Sequence, residues 1–133
     1  MTEFEVGAVY QFNYLWAREQ GRGEESGRKE RPACLLFRAP ADGERLYLFP
    51  ITSQPPPKDG LSLAIAVAEC RLAGLLHPSW IILDEVNIAA ASQPHDFASL
   101  QPLGRLSRGF YLRLAKAARE AAQQGKLASV RRT

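Results

Sequence analysis

Residues 29–37, with the sequence KERPACLLF, contain Arg31, an arginine placed directly before a proline and an apolar run. The charged start passes through Pro32 into a continuous apolar run, which is typical of a strand buried on both faces. Pro32 can open such a strand, and it favours an extended conformation at Arg31. An arginine held at the mouth of a rigid strand can grip a phosphate or a carboxylate through two parallel hydrogen bonds. The simpler interpretation, which these nine residues alone favour, is an ion pair with Glu24, Glu25 or Glu30.

Most recognisable catalytic motifs are missing from the sequence. It has no GxxxxGK or GxGxxG phosphate loop and no GxSxG elbow, and His77 and His95 stand far apart, each beside a proline. Either histidine could act as a general base, although loop histidines are usually solvated bystanders. Asp59, Asp84 and Glu85 are scattered, which gives weak support for paired-carboxylate chemistry. An enzyme of this kind would need few titrating groups, and RNA transesterification fits because the substrate brings its own 2′-hydroxyl nucleophile. We expect no metal and no cofactor.

Composition predicts one ordinary globular domain over residues 1–133. The chain is 46% hydrophobic and 23% charged, and its net charge of +3 is compatible with a polyanionic partner without being diagnostic. Cys34 and Cys70 lack CxxC spacing, so we expect buried thiols in a reducing compartment. The acidic start shows no signal peptide, and no apolar run approaches the roughly 20 residues of a membrane span. These features predict a cytoplasmic protein.

Short strands dominate the pattern of the chain. Residues 4–14 alternate with aromatics on one face, and residues 31–37 and 45–51 should pair as a hairpin through the turn at Asp42-Gly43. Residues 61–68 alternate again, and residues 80–83 form an apolar strand that continues toward 86–88. The fold class predicted is mainly β with a C-terminal helix, arranged as a small, strongly bent antiparallel barrel of five or more strands. Its predicted core contains Tyr10, Phe12, Leu35, Phe49, Ile65, Ile82, Phe110 and Leu114.

The remaining segments are loops, one helix and a tail. We expect a long polar loop at 17–30, a stiff proline-rich loop at 54–60 and an irregular segment at 91–102. A helix at about 107–124 is indicated by the N-cap Ser107, the stop Gly125 and a buried stripe from Leu106 to Ala121. The basic tail, 126–133, is expected to be frayed. Trp16, at the root of the long loop, is either core or an exposed stacking platform, with core slightly favoured.

Several short motifs together resemble the MazF/PemK/Kid family of type II toxin–antitoxin ribonucleases. In order and spacing they cover nearly the whole chain, although each alone is weak; Arg31-Pro32 before a strand, together with Ile51-Thr52-Ser53 at a strand end, is moderately specific. The remaining motifs are Gly7-Ala8-Val9-Tyr10, Gly23-Glu24-Glu25-Ser26-Gly27, Ala73-Gly74-Leu75, Ser79-Trp80-Ile81-Ile82, Asp84-Glu85-Val86 and Leu103-Gly104-Arg105-Leu106-Ser107. At residue 87, where the family usually has a basic residue, this chain has asparagine.

The resemblance implies an SH3-like barrel, a homodimer, metal-independent cleavage of single-stranded RNA and a cognate antitoxin protein that blocks the RNA surface. By motif position, Arg31 would grip the phosphate, Thr52 would be its hydroxyl partner, and Glu24 would orient Arg31. RNA-binding residues in the same region would be Lys29, Ser53, Gln54 and Trp16. Pairing of two barrels would also cover exposed strand edges.

Two other function classes stay open at this point. One is a non-catalytic barrel of the same fold that acts by binding a protein partner, as the fold-mate CcdB does with gyrase. The other is a small structural or regulatory domain without RNA contact.

Overall fold

The chain folds mainly into β-strands. The structure is a computed structural model that describes residues 4–20, 30–40 and 44–132, and within these ranges there are eight strands and three helices. In chain order they are β1 Ala8–Asn13, α1 Ala17–Gln20, β2 Glu30–Ala39, β3 Arg45–Thr52, β4 Ser62–Ile65, α2 Val67–Leu72, β5 Ser79–Ile82, β6 Glu85–Ala90, β7 Gly104–Arg105, α3 Arg108–Gln123 and β8 Ala128–Arg132.

Strand β3 lies at the centre of the sheet. One of its edges pairs antiparallel with β2, and the other is shared, because its first half pairs with β6 and its last two residues pair with β5. The main path of neighbouring strands is β4-β5-β3-β2-β1-β7, which makes a curled, mostly antiparallel sheet in the form of a half-barrel. The prediction of a mainly β fold with a C-terminal helix is therefore confirmed.

Strand β2 is buried on both of its faces, as its sequence predicted. Ala33, Cys34, Leu35 and Leu36 have no exposed surface. Cys34 and Leu36 belong to a cluster that also contains Leu114 of α3. Ala33 and Leu35 face the opposite way, into a second cluster that is covered by Phe97 and the N-terminal segment. The continuous apolar run therefore reflects a strand enclosed between two hydrophobic layers.

Helix α3 begins and ends close to where the sequence predicted. The Ser107 side chain accepts a hydrogen bond from Phe110 N at 3.3 Å, and Gly125, with φ of 69°, follows the helix. The carboxylate of Glu69 in α2 accepts from both Ser107 N and Ser107 Oγ, at 2.8 and 2.6 Å. The predicted stripe of Leu106, Phe110, Leu114, Ala118 and Ala121 is buried. The helix is thus fixed by a cap as well as by its apolar face.

Two glycines allow α2 and β7 to approach backbone to backbone. A Cβ atom at Gly74, which has φ of 74°, would lie 2.4 Å from Leu103 O, and one at Gly104 would lie 2.2 Å from Leu72 O. Both distances are far below van der Waals contact, so only glycine fits at either position. The motifs around Gly74 and Gly104 are therefore two sides of one close contact.

Two element predictions and one core prediction are wrong in detail. The alternating segment 61–68 is a strand only as far as Ile65, because α2 begins at Val67, whose side chain is 66% exposed. The good helix formers in Ala68-Glu69-Cys70-Arg71-Leu72 outweigh the short alternation. The loop predicted at 17–30 starts with α1 and ends inside β2, and residues 21–29 lie outside the described residues. Ile82 is only half-buried, whereas the other seven predicted core residues are buried.

The C-terminal tail is a strand, and its predicted fraying is wrong. β8 pairs in parallel with β6, which is an exception to the antiparallel arrangement expected. Val130 and Arg132 point inward, and the Arg132 guanidinium bonds Asp96 Oδ1 at 2.9 Å and Asn13 O at 3.1 Å. The basic residues suggested a solvated tail, but one of them forms a buried ion pair that holds the strand in place.

Replacing Arg132 should destabilise the protein through the partner that is left behind. The Arg132 side chain is 1% exposed and that of Asp96 is 14% exposed, so Arg132→Ala leaves a carboxylate largely buried without its cation. We expect a loss of about 3 kcal/mol in the free energy of unfolding, measured by urea denaturation. The exposed neighbour offers a matched control, since Arg131→Ala should change stability by less than about 0.5 kcal/mol. Equal effects of the two substitutions would contradict this role of Arg132.

Candidate functional site

The pairing of β2 with β3 brings Arg31 and Thr52 together. The register pairs Cys34 with Phe49 and Ala33 with Pro50, so Arg31 and Thr52 lie at the same end of the paired strands. Both residues line the same two clefts. The convergence of these two side chains, expected from the hairpin, is therefore present in the structure.

Two clefts meet at this pair. The tryptophan cleft has a volume of about 560 Å³. It is lined by Trp16, Arg18, Arg31, Thr52, Ile82, Asp84 and Glu85, and by residues 54–57 and 59–62 of the proline-rich loop and the start of β4. The histidine cleft, of about 320 Å³, is lined by residues 30–32, 51–54 and 75–77 together with Ser79. Arg31, Thr52 and Gln54 line both clefts. They form the shared boundary of the two clefts, and we call these three residues the ridge.

Trp16 supports the guanidinium of Arg31. The Arg31 Cζ atom lies 5.5 Å from the centroid of the Trp16 ring, and Arg18 Cζ lies 5.1 Å from it. The ring also packs edge-on against Tyr14, with centroids 5.1 Å apart. Trp16 is half-buried. It packs against the core residue Tyr14, and Arg18 and Arg31 lie over its ring. Such contacts attract the cation to the aromatic face and restrict its position.

Arg31 forms no ion pair with the described residues. Glu30, the neighbouring carboxylate that the structure describes, is exposed on the solvent side of the strand end and makes no salt bridge with Arg31. Glu24 and Glu25 lie outside the described residues. Within the described ranges, the guanidinium therefore faces two clefts with its hydrogen-bond donors available to an anion.

Thr52 ends β3 with a local turn. Its Oγ1 accepts from Gln54 N at 3.0 Å, and the distance from Oγ1 to Gln54 O is 3.4 Å. The first contact fixes the hydroxyl oxygen, whereas the second is long, so the hydroxyl proton can be given to a ligand on the ridge. Ser53 is exposed and lines the histidine cleft, while Gln54 is exposed and belongs to both clefts.

The proline-rich loop is one wall of the tryptophan cleft. Pro55, Pro56 and Pro57 all line it, which assigns a position to the triplet that composition alone left as a spacer. Asp84 clips the loop to the sheet, because its Oδ2 accepts from Leu61 N at 3.3 Å. Fixed proline φ angles and this clip make the wall stiff.

Glu85 and Asn87 of β6 anchor the segment that carries Trp16. Glu85 Oε1 accepts from Tyr14 Oη at 3.1 Å and from Ala17 N at 3.2 Å. Asn87, which is fully buried, accepts from Leu15 N at 2.9 Å and donates to Leu15 O at 2.8 Å. An asparagine can bond both backbone groups in this way and a lysine or arginine cannot accept. These two hydrogen bonds therefore explain the asparagine at residue 87.

Burial raises the pKa of Glu85 above its ordinary value. The bonds donated by Ala17 and Tyr14 favour its charged form, while nearby Asp84 disfavours it, and desolvation is the largest of these effects. Glu85 thus combines a raised pKa with a place in the cleft that contains Arg31, which is the combination expected of a proton-transfer group.

The structure adds residues to the site that sequence reasoning missed. Glu85 was treated as scattered and His77 as a bystander, and Arg18 was not singled out, yet Glu85 and Arg18 line the tryptophan cleft and His77 lines the histidine cleft. No local motif marks them, because β6, α1 and the turn before β5 meet the ridge only through tertiary contacts. Two predicted site residues, Glu24 and Lys29, lie outside the described residues.

Comparison with known proteins gives no family for this chain. No protein-family model matches the sequence, and no curated protein matches it. In the described ranges, no group of three or more His, Cys, Asp or Glu side chains is arranged to hold a metal ion. No helix there is long and apolar enough to cross a membrane.

The raised pKa of Glu85 predicts a pH-dependent stability difference. The folded state binds this proton more tightly than the unfolded state, whose glutamate titrates near about 4.3. The stability contributed by Glu85 is therefore complete below that pH and is lost as the pH rises through the folded pKa. Glu85→Gln retains an acceptor for Tyr14 and Ala17 but cannot titrate. The variant should gain stability relative to wild type as the pH rises from about 4 to about 7.

Urea unfolding followed by tryptophan fluorescence measures this difference at each pH. Glu120→Gln removes a carboxylate from the exposed face of α3 and is the matched control, expected to stay within about 0.5 kcal/mol of wild type. A Glu85→Gln variant that loses stability relative to wild type as the pH rises would contradict the assignment.

Proposed function

We propose that this protein is an endoribonuclease that cleaves single-stranded RNA by transesterification, with the scissile phosphate bound on the ridge. The observation that carries the proposal is that Arg31 and Thr52 both line both clefts. Cleavage of this kind needs a stabilised phosphate, a base and an acid, and it needs no nucleophile from the protein.

The ridge suits a phosphate between two nucleosides. Arg31 offers a planar fork of donors without a competing ion pair among the described residues, and Thr52 offers a hydroxyl beside it. A phosphate held there would have one nucleoside directed into each cleft. Arg31 neutralises charge on the non-bridging oxygens as it develops, and Thr52 donates a hydrogen bond to one of them.

Proton transfer can be supplied from both sides of the ridge. Glu85 lines the tryptophan cleft and His77 lines the histidine cleft, so they flank the phosphate position. In transesterification the 2′-hydroxyl loses a proton on one side of the phosphorus, and the leaving 5′-oxygen gains one on the other. A carboxylate and an imidazole on opposite sides meet this requirement.

The resemblance to the MazF/PemK/Kid family supports the same proposal. It adds three further proposals: an SH3-like barrel, a homodimer, and a cognate antitoxin protein that covers the RNA surface in the cytoplasm. Lys29 and Glu24, which precede the ridge in sequence, keep their proposed roles in RNA binding and in orienting Arg31.

A second candidate function is supported by exposed apolar side chains beside the histidine cleft. Leu76, which lines the histidine cleft, is 92% exposed. In α2, Val67 is 66% exposed and Leu72 is 55% exposed. Large apolar groups at the surface are typical of protein-binding sites. A non-catalytic barrel that binds a protein partner through this surface is therefore the alternative.

Substitutions on the ridge separate the two candidates. Arg31→Ala should reduce cleavage of a mixed single-stranded RNA pool by about 10²–10³-fold, because one charge-stabilising donor is lost. Arg31→Lys should not restore the rate, since a point charge cannot replace a bidentate fork. Thr52→Val should cost less, about tenfold, and Thr52→Ser should recover most of that loss.

Arg71→Ala is the matched control, because Arg71 is exposed on α2 and lines neither cleft. It removes the same charge and should leave the rate within about twofold of wild type. Circular dichroism confirms that each variant is folded. Equal activity of wild type and Arg31→Ala, or no activity of wild type across a diverse pool, would exclude the ribonuclease proposal and favour the non-catalytic barrel.

A further inference from the structure

Another cleft lies at the end of β2 that is farther from the ridge. It has a volume of about 460 Å³, and it is lined by Arg38 of β2, Arg105 of β7 and Arg108, the first residue of α3. Glu5 is the one carboxylate among its described lining residues. We call it the arginine cleft. It shares no described lining residue with the tryptophan cleft or the histidine cleft.

Hydrogen bonds fix the walls of the arginine cleft. Leu106 N donates to Gly7 O at 2.9 Å, and Gly7 N donates to Leu35 O at 2.7 Å. The Tyr111 ring lies against Gly7, and its Oη donates to Leu36 O at 2.9 Å. The cleft is therefore formed without a ligand, and it has aromatic surface beside its guanidinium groups.

The charge of Arg108 is unfavourably placed for the stability of α3. The N-terminus of a helix carries a partial positive charge, which repels a cation and favours an acidic side chain. The first turn of α3 contains no acidic residue, and Arg108 is exposed and forms no ion pair with the described residues. The carboxylate of Glu69 bonds to Ser107 N and Oγ. A bound anion would offset this repulsion, and a local conflict of this kind is typical of functional sites.

Arg38 and Arg105 form ion pairs that a ligand can share. Arg105 pairs with Glu5, and both side chains are about half exposed. Arg38 pairs with Glu44, and both side chains are about one third exposed. Ion pairs exposed to this extent contribute little to stability, so a ligand with two negative charges can compete with them. The described lining residues carry three guanidinium groups and one carboxylate, which leaves the cleft positively charged.

From the three guanidinium groups, the cation at the start of α3 and the preformed cleft, we infer that the arginine cleft binds the phosphate group of a nucleotide, either free or within a nucleic-acid strand. Arginine forks match pairs of phosphate oxygens. Val6 and the Tyr111 ring supply apolar surface for the ribose or the base.

The inference is independent of the proposed ribonuclease activity. Arg38 follows Arg31 by seven residues along β2, which is roughly 23 Å in an extended strand. One phosphate therefore cannot occupy both the arginine cleft and the ridge.

Isothermal titration calorimetry with adenosine 5′-monophosphate and with adenosine tests the site on the whole chain. Wild type should bind the monophosphate more tightly than adenosine by about tenfold or more. Arg105→Gln and Arg108→Gln should each weaken binding of the monophosphate by about tenfold, because each removes a charged hydrogen-bond donor. Glu5→Gln should strengthen it by about threefold, because Arg105 is released from its ion pair.

Two controls separate a specific site from general charge and from a structural role. Lys116→Gln removes one positive charge from α3 outside the cleft and should leave the dissociation constant within about twofold of wild type. Arg108→Gln should unfold at the same urea concentration as wild type or at a higher one, because it removes the repulsion at the helix start. Equal binding of monophosphate and adenosine, equal weakening by Lys116→Gln and Arg108→Gln, weaker binding by Glu5→Gln, or a lower unfolding midpoint for Arg108→Gln would overturn the inference.

A single-stranded DNA oligomer distinguishes the two sources of the phosphate, since it lacks the 2′-hydroxyl and cannot undergo transesterification. If a strand is the ligand, fluorescence anisotropy should show that Arg108→Gln binds the oligomer more weakly than wild type does. If a free nucleotide is the ligand, Arg108→Gln should weaken binding of the monophosphate alone. Loss of monophosphate binding in Arg31→Ala, with binding unchanged in Arg105→Gln and Arg108→Gln, would place the nucleotide on the ridge and overturn the inference.

Discussion

The antiparallel pairing of β2 with β3 is the constraint on which the rest of the site depends. Its register brings the start of β2, which carries Arg31, beside the end of β3, which carries Thr52, and a one-residue slip would turn one of the two side chains to the other face of the sheet. Ala33 and Leu35 fill one hydrophobic cluster and Cys34 and Leu36 fill the other, so a slip would exchange the side chains that pack in each cluster. A bulge between Leu35 and Phe37 changes the register farther along the strand, away from the ridge.

The second requirement is that the guanidinium of Arg31 stays at the ridge. Trp16 provides the surface on which it lies, and the segment that carries Trp16 is itself held by Glu85 and Asn87. Strand β6 therefore controls the site although it contributes no residue to the ridge. β8 pairs with β6, and the Arg132–Asp96 ion pair holds the end of β8 in place. The C-terminal strand therefore also supports β6, which contains Glu85.

Much of this arrangement follows from the sequence, and the exceptions have physical causes. The strands at 31–37 and 45–51, the capped helix and most of the core follow from period-two and helical patterns, which are local. The tail was misassigned because a charged segment takes its structure from a tertiary partner, as Arg132 does from Asp96. The segment of α2 was misassigned because the helix propensity of residues 68–72 outweighs a short alternation. Glu85 and His77 reach the clefts only through folding, so no spacing in the sequence indicates them.

The nature of the reaction products tests the central claim most directly. Wild-type protein is incubated in excess chelator with a single-stranded RNA pool and with its all-deoxy counterpart, and the new ends are identified by mass spectrometry. In the proposed reaction the ridge would stabilise the anion, and Glu85 and His77 would transfer the protons. The RNA should therefore yield 5′-hydroxyl ends with 2′,3′-cyclic phosphate or 3′-phosphate, and the deoxy pool should remain intact. Cleavage of both pools, 5′-phosphate ends, or loss of activity in chelator would contradict a transesterification that uses the 2′-hydroxyl of the substrate.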